Sequence, residues 1–95
     1  MSTFRDNLLD NANATGAAEN WQGGIGTLWV FGTFEGATVK LQSSVNGTTW
    51  IDAGVDVTFT TNGNGNFQLG PCLLRGDVTN PGVGTAVTAV VRKAD

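Results

Sequence analysis

The stretch Ala37-Thr38-Val39-Lys40-Leu41-Gln42-Ser43-Ser44-Val45-Asn46-Gly47-Thr48-Thr49-Trp50 decides the fold. Ala37, Val39, Leu41 and Val45 fall on one side of a period of two, and Thr38, Lys40, Gln42 and Ser44 on the other. Successive side chains of a strand point to opposite faces, so this alternation marks a strand with one face in a core and one in water. Asn46-Gly47 follows, a pair suited to the positive φ that both central residues of a type I′ hairpin turn require. A two-residue loop there pairs Val45 with Thr48 and Ser43 with Trp50. Cross-strand partners share a face, so this register sets Trp50 inward beside Leu41, over the small Ser43.

The same period runs outward from that hairpin. Val55, Val57 and Phe59 alternate with Asp56, Thr58 and Thr60, and 61–66 (Thr-Asn-Gly-Asn-Gly-Asn) read as a turn cluster. Phe67 and Leu69 resume the inward face until Gly70-Pro71 breaks the run. Cys72, Leu74 and Val78 point in on the next strand, and Val87, Ala89 and Val91 on the last, after the turn at Thr79-Asn80-Pro81-Gly82. Short strands separated by Gly, Asn and Pro turns define an all-β domain, a compact β-sandwich or small β-barrel of short antiparallel strands.

Two stretches depart from this pattern. In Thr27-Leu28-Trp29-Val30-Phe31-Gly32-Thr33-Phe34 both faces are apolar: Leu28, Val30 and Phe34 on one, Trp29 and Phe31 on the other. A domain this thin holds one apolar layer, so Trp29 and Phe31 are expected either at an interface with another chain or under the N-terminal arm. Residues 1–20 are rich in Asn, Ala and Asp and poor in β-branched residues, and are expected as an arm preceding a sandwich domain over 21–95. Ser2 or Thr3 could cap a helical turn there, or the arm could be extended. Phe4, Leu8 and Leu9 have no local core; they either fray with the terminus or pack on a neighbouring subunit.

Composition limits the function. With 95 residues one domain is expected, and one that small is marginally stable alone. Cys72 is the sole cysteine and histidine is absent, which excludes an internal disulfide and a Cys/His metal site and leaves oligomerisation or docking as the stabilising device. The five cations, Arg5, Lys40, Arg75, Arg92 and Lys93, are scattered in a chain of net charge −3, so no nucleic acid is expected as partner. No signal peptide and no run approaching the roughly 20 apolar residues of a membrane span is visible, so synthesis in a cytoplasm and no membrane partner are expected.

Chemistry is equally sparse. His and Tyr are missing and the acids are dispersed, so no catalytic residues are assigned and no enzyme is expected. Asp52 and Asp56 flank Gly54 and could hold Ca²⁺ weakly, but read better as two solvated turn carboxylates, leaving no metal or cofactor. Cys72 lacks a base and reads as inert core. The Gly23-Gly24-Ile25-Gly26 and Gly63-Asn64-Gly65 runs precede strands, not a helix with a lysine, so neither is a phosphate loop. Trp21 and Trp29 could offer indole faces to a sugar ring.

Ser43, Gly47, Thr49 and Trp50 fall at the spacing of the Asp-box of sialidase-like propellers, which that stretch resembles, with Val45 in place of the Asp; the motif is a structural hairpin. A wider resemblance lies in Ala14-Thr15-Gly16, Trp21-Gln22-Gly23-Gly24-Ile25-Gly26, the run from Gly32 to Gln42, Asn46-Gly47-Thr48-Thr49-Trp50, Gly70-Pro71-Cys72-Leu73-Leu74-Arg75 and the closing strand from Gly84. Over 14–91 the chain resembles small β-sandwich proteins of bacteriophage virions. That resemblance implies a capsid decoration (cement) protein at the capsid surface, a homo-oligomer, trimer or dimer, bound to the major capsid protein. The alternatives are a fibre- or tail-associated glycan-binding or adhesion module, or a head–tail connector component. The interface residues then expected are Phe4, Leu8, Leu9, Trp21, Trp29 and Phe31.

Overall fold

The computed structural model describes residues 7–93. The strands are β1 (Asn7–Ala12), β2 (Glu19–Trp21), β3 (Gly24–Thr33), β4 (Thr38–Ser44), β5 (Ile51–Asp52), β6 (Thr58–Phe59), β7 (Gly63–Leu69), β8 (Cys72–Thr79) and β9 (Ala86–Lys93), with a 3-10 turn over Val55–Val57. They form two antiparallel sheets. The first has the order β1-β9-β3-β7; the second runs β2-β8-β4-β5, with β6 also on β4. The chain is therefore an all-β sandwich. Leu28, Val30, Val87, Ala89 and Val91 of the first sheet and Val39, Leu41, Leu74 and Val78 of the second fill the space between, at the inward positions read from the period of two.

The hairpin at Asn46-Gly47 differs from the expected one. Ser43 pairs with Ile51 and Gln42 with Asp52, one residue off the register of a two-residue loop. Only Gly47 of the pair has positive φ. The loop over 45–50 is built instead by side chains. The Ser44 hydroxyl accepts from the backbone N–H groups of Asn46 (3.3 Å) and Gly47 (2.8 Å), and Asn46 Oδ1 accepts from those of Thr48 and Thr49 (2.9 Å each). Short polar side chains can satisfy a loop backbone in this way without the type I′ geometry. A slip of one residue moves side chains to the opposite face. Trp50 is accordingly not core, and Val45, expected inward, is 92% exposed. The turn with positive φ at both central residues is instead Glu35-Gly36 (φ 49 and 87), closed by Ala37 N–H donating to Phe34 O at 2.9 Å where the chain crosses between sheets.

The boundary expected at residue 20 is also corrected, because β1 and β2 are strands of the two sheets. Leu8 and Leu9 are both buried in the chain's own core. Consecutive residues share the inner side because the β1–β9 ladder is interrupted by bulges on either side of Leu9, and Asn11 has positive φ (47). Leu9 reaches across to β8, where Gly76 leaves room: a Cβ there would stand 2.9 Å from Leu9 Cγ. Thr15 pins the following segment, donating to Asp77 Oδ1 (3.0 Å) and accepting from Val78 N–H (3.1 Å). Phe4 lies outside the described residues.

Two further segments depart from the sequence reading. Val55–Val57 is a 3-10 turn with only Val57 buried, and Gly63-Asn64-Gly65-Asn66 is strand, not turn. The glycines occupy inward positions of β7, opposite Val30 and Leu28. There they admit the 3-10 turn and Phe59: a Cβ on Gly65 would run into the Asp56 carbonyl. Gly65→Ala is therefore expected to destabilise the fold by about 1–3 kcal/mol as an overpacked site. Gly70→Ala, where nothing lies within 4 Å of an added Cβ, is expected to be near neutral. Urea denaturation of the two variants checks this; equal midpoints would contradict it.

Candidate functional site

The outer face of the first sheet is built by the residues of β3 that the core does not use. Ile25 (47% exposed), Thr27, Trp29 (46%) and Phe31 (46%) follow one another along its outer side. Pairing adds the neighbours. On β9, Arg92 stands opposite Thr27, Val90 opposite Trp29 and Thr88 opposite Phe31. On β7, Gln68 stands opposite Ile25, Asn66 opposite Thr27 and Asn64 opposite Trp29. An apolar row therefore runs beside a row of carboxamides. The Thr27 hydroxyl donates to Asn66 Oδ1 at 2.7 Å, and Asn62 Oδ1 accepts from Gly32 N–H at 3.0 Å. A shallow depression of about 270 Å³ lies between Trp29, Phe31, Asn62 and Asn64.

The outer face of the second sheet is of opposite character. Arg75 Nε donates to Gln42 Oε1 (2.9 Å), Gln42 Nε2 to Asp52 Oδ1 (2.9 Å), and Lys40 Nζ to Asp52 Oδ2 (3.3 Å). The Arg75 guanidinium also lies 4.3 Å from the centre of the Trp50 ring, a cation–π contact that gives the displaced indole a partner. This face satisfies itself.

A second apolar surface lies at the end of the sandwich, where the 45–50 loop faces the Gly70-Pro71 turn. Val45, Ile51 (64% exposed), Leu69, Pro71 and Cys72 line a cleft of about 410 Å³ there. Cys72 is half-buried, and desolvation pushes its thiol above the ordinary value, away from the thiolate a nucleophile needs. Among the described residues no group of three His, Cys, Asp or Glu side chains comes together to hold a metal. Asp52 and Asp56 do not act as a pair: Asp52 is engaged by Lys40 and Gln42, and Asp56 sits in the 3-10 turn.

Of the residues expected at an interface, Trp29 and Phe31 are together and exposed. The described part of the N-terminal segment does not cover them, since β1 joins the sheet edge beside β9. Leu8, Leu9 and Trp21 are core and are withdrawn as contact residues. Trp21 lies 5.1 Å from Phe67 between ring centres, donates from Nε1 to Leu69 O (3.2 Å) and has Lys93 Nζ 5.6 Å from its ring, so its indole is not open to a sugar. Ile25 and Val90 join the face unforeseen. Ile25 shares the period of Trp29 and was legible; Val90 arrives only through the long-range pairing of β3 with β9. The chain matches no protein-family model, and no curated protein or solved structure shows significant similarity to it.

Hydrogen bonds from Gln42 and then Lys40 hold the Asp52 carboxyl below its ordinary value of 3.8. A carboxyl depressed in the folded state adds stability that is complete above the unfolded value and is lost as pH falls through the folded one. Asp52 is solvated, so the effect is small. Asp52→Asn is expected to lower the urea midpoint slightly at pH 7, with the difference closing as the pH drops below 3.8. A difference that widens in acid would contradict the assignment. Cys72 is expected to alkylate with iodoacetamide at pH 7 more slowly in the folded chain than in urea; an equal rate would show a thiol the fold leaves unperturbed, and a faster one an activated thiol.

Proposed function

We propose that the chain is a non-enzymatic structural protein of a bacteriophage virion, a capsid decoration protein that binds and stabilises the assembled head. The observation that carries this reading is the half-exposed row Ile25, Trp29 and Phe31 on one face of a packed sandwich whose opposite face is satisfied by its own polar network. An exposed apolar row on so small a domain marks a contact surface. The cleft bordered by Val45, Ile51 and Pro71 supplies a second one, and a cement subunit needs one surface for its lattice and another for its neighbours. The resemblance to small virion sandwiches supports the same reading. A ligand that binds the assembled lattice and not its dissociated parts stabilises it by mass action, summed over many sites. The major capsid protein is the partner, and the chain is made in the host cytoplasm before it reaches the capsid surface.

A second reading, a glycan-binding module of a fibre or tail, is favoured by one observation: the Trp29 and Phe31 rings lie beside the Asn62 and Asn64 carboxamides, which suit a sugar's apolar face and hydroxyl rim. A head–tail connector is separated from both by copy number, hundreds per particle for a cement and a dozen or fewer for a connector or fibre.

Heads of the parent phage stripped of this chain are expected to melt several degrees lower than heads to which it is restored. Trp29→Ala is expected to remove most of the gain while leaving the isolated domain folded. Equal melting with and without the chain would eliminate the decoration reading, and saturable glycan binding lost in Trp29→Ala would replace it.

A further inference from the structure

We infer that the outer face of the first sheet is a two-fold contact occupied by a second copy of this chain. This rests on reading that face as a contact surface and adds which partner it takes. A two-fold homodimer sets one patch against itself, so the patch must be self-complementary.

The face meets that requirement in charge, in hydrogen bonding and in extent. Its β3 and β7 rows carry Ile25, Thr27, Trp29, Phe31, Asn64, Asn66 and Gln68, none of them charged, so the rows place no like charges opposite one another. Carboxamides and hydroxyls each donate and accept, so the polar row of one copy can satisfy that of the other, which carboxylates or ammonium groups could not do. Arg92, opposite Thr27 on β9, and Asp10, exposed on the edge strand β1, are the charged residues beside these rows, one of each sign. A two-fold axis lying between the sheets and across the strands, at the level of Trp29 and Val90, sends the second copy's Arg92 to the opposite end. The two guanidinium groups then stand four residue steps apart along the strands, about 13 Å, which exceeds the screening length of about 8 Å at physiological salt.

The extent is consistent with a reversible dimer. The four strands, of six, eight, ten and seven residues in sheet order, offer roughly 500 Å² per copy at the standard strand spacing and rise, hence about 1,000 Å² in total, the size of weak and transient interfaces. Sheets packed face to face lie about 10 Å apart, which lets the Trp29 and Phe31 rings of one copy interdigitate with those of the other. A contact of this size dissociates in dilute solution and is held when many copies are arrayed on one lattice.

Sedimentation equilibrium and native mass spectrometry from micromolar to millimolar chain are the test. The mass is expected to rise from 9.8 kDa toward twice that value. The double variant Trp29→Lys with Phe31→Asn is expected to stay at the lower mass throughout while keeping the wild-type circular dichroism and melting. Ile51→Lys, at the end cleft, is expected to dimerise as the wild type does. A wild-type chain that is monomeric over the whole range, or a dimer that survives the double substitution, would overturn the inference. Capsid melting is scored separately. A monomeric chain that still stabilises heads overturns the self-contact alone, and a dimer without effect on heads overturns the decoration reading alone.

Discussion

The alternation along β3 is the constraint on which the molecule depends. Leu28 and Val30 point inward from a strand paired on both sides, by β9 and by β7, and the core cluster closes over them. The pleat then gives no choice about their neighbours: Ile25, Thr27, Trp29 and Phe31 must stand on the opposite side. A ring the size of Trp or Phe buries roughly 150–250 Å² when covered, so each half-exposed ring leaves on the order of 2 kcal/mol of unused hydrophobic stabilisation. Both rings sit on a backbone ordered by the core beneath, so little further conformational entropy is lost when a partner covers them.

The two outer faces show the same principle resolved in opposite ways. On the second sheet the one-residue slip at the 45–50 loop throws Trp50 outward, and Arg75 covers it while reaching Gln42 and, through it, Asp52. The large aromatic that lands there is absorbed by its own chain. On the first sheet the neighbours of Trp29 are Val90 and Asn64, neither of which can cover an indole. The same slip exposes Val45, and Ile51 stands out beside it at the end cleft, so a local choice of loop created the second apolar surface.

Much of the framework could be read from the chain alone. The inward sets Val39 and Leu41, Leu28 and Val30, and Val87, Ala89 and Val91 follow from periodicity because each lies on a regular strand. Reading failed where a side chain or a glycine, not the period, sets the backbone. Ser44 and Asn46 hold a loop that Asn46-Gly47 alone would have made shorter. Bulges around Leu9 bury two consecutive leucines that a strict period would have separated. Gly63 and Gly65 look like turn residues and are strand residues chosen for the close approach of Phe59 and the Asp56 carbonyl. Trp29 and Phe31 were legible as surplus because both sides of one strand were apolar. Trp21 was not legible as core, since its burial depends on Phe67 and on the Leu69 carbonyl, 48 residues away in sequence.

The central claim is that the Trp29–Phe31 face is covered when the chain does its work. Hydroxyl-radical footprinting of the chain, free in dilute solution and in the phage particles that the proposed function requires, tests it residue by residue. Trp29 and Phe31 are expected to oxidise readily in the free chain and to be protected in particles, with buried Trp21 slow in both. Equal oxidation of Trp29 and Phe31 in the two states would contradict the account.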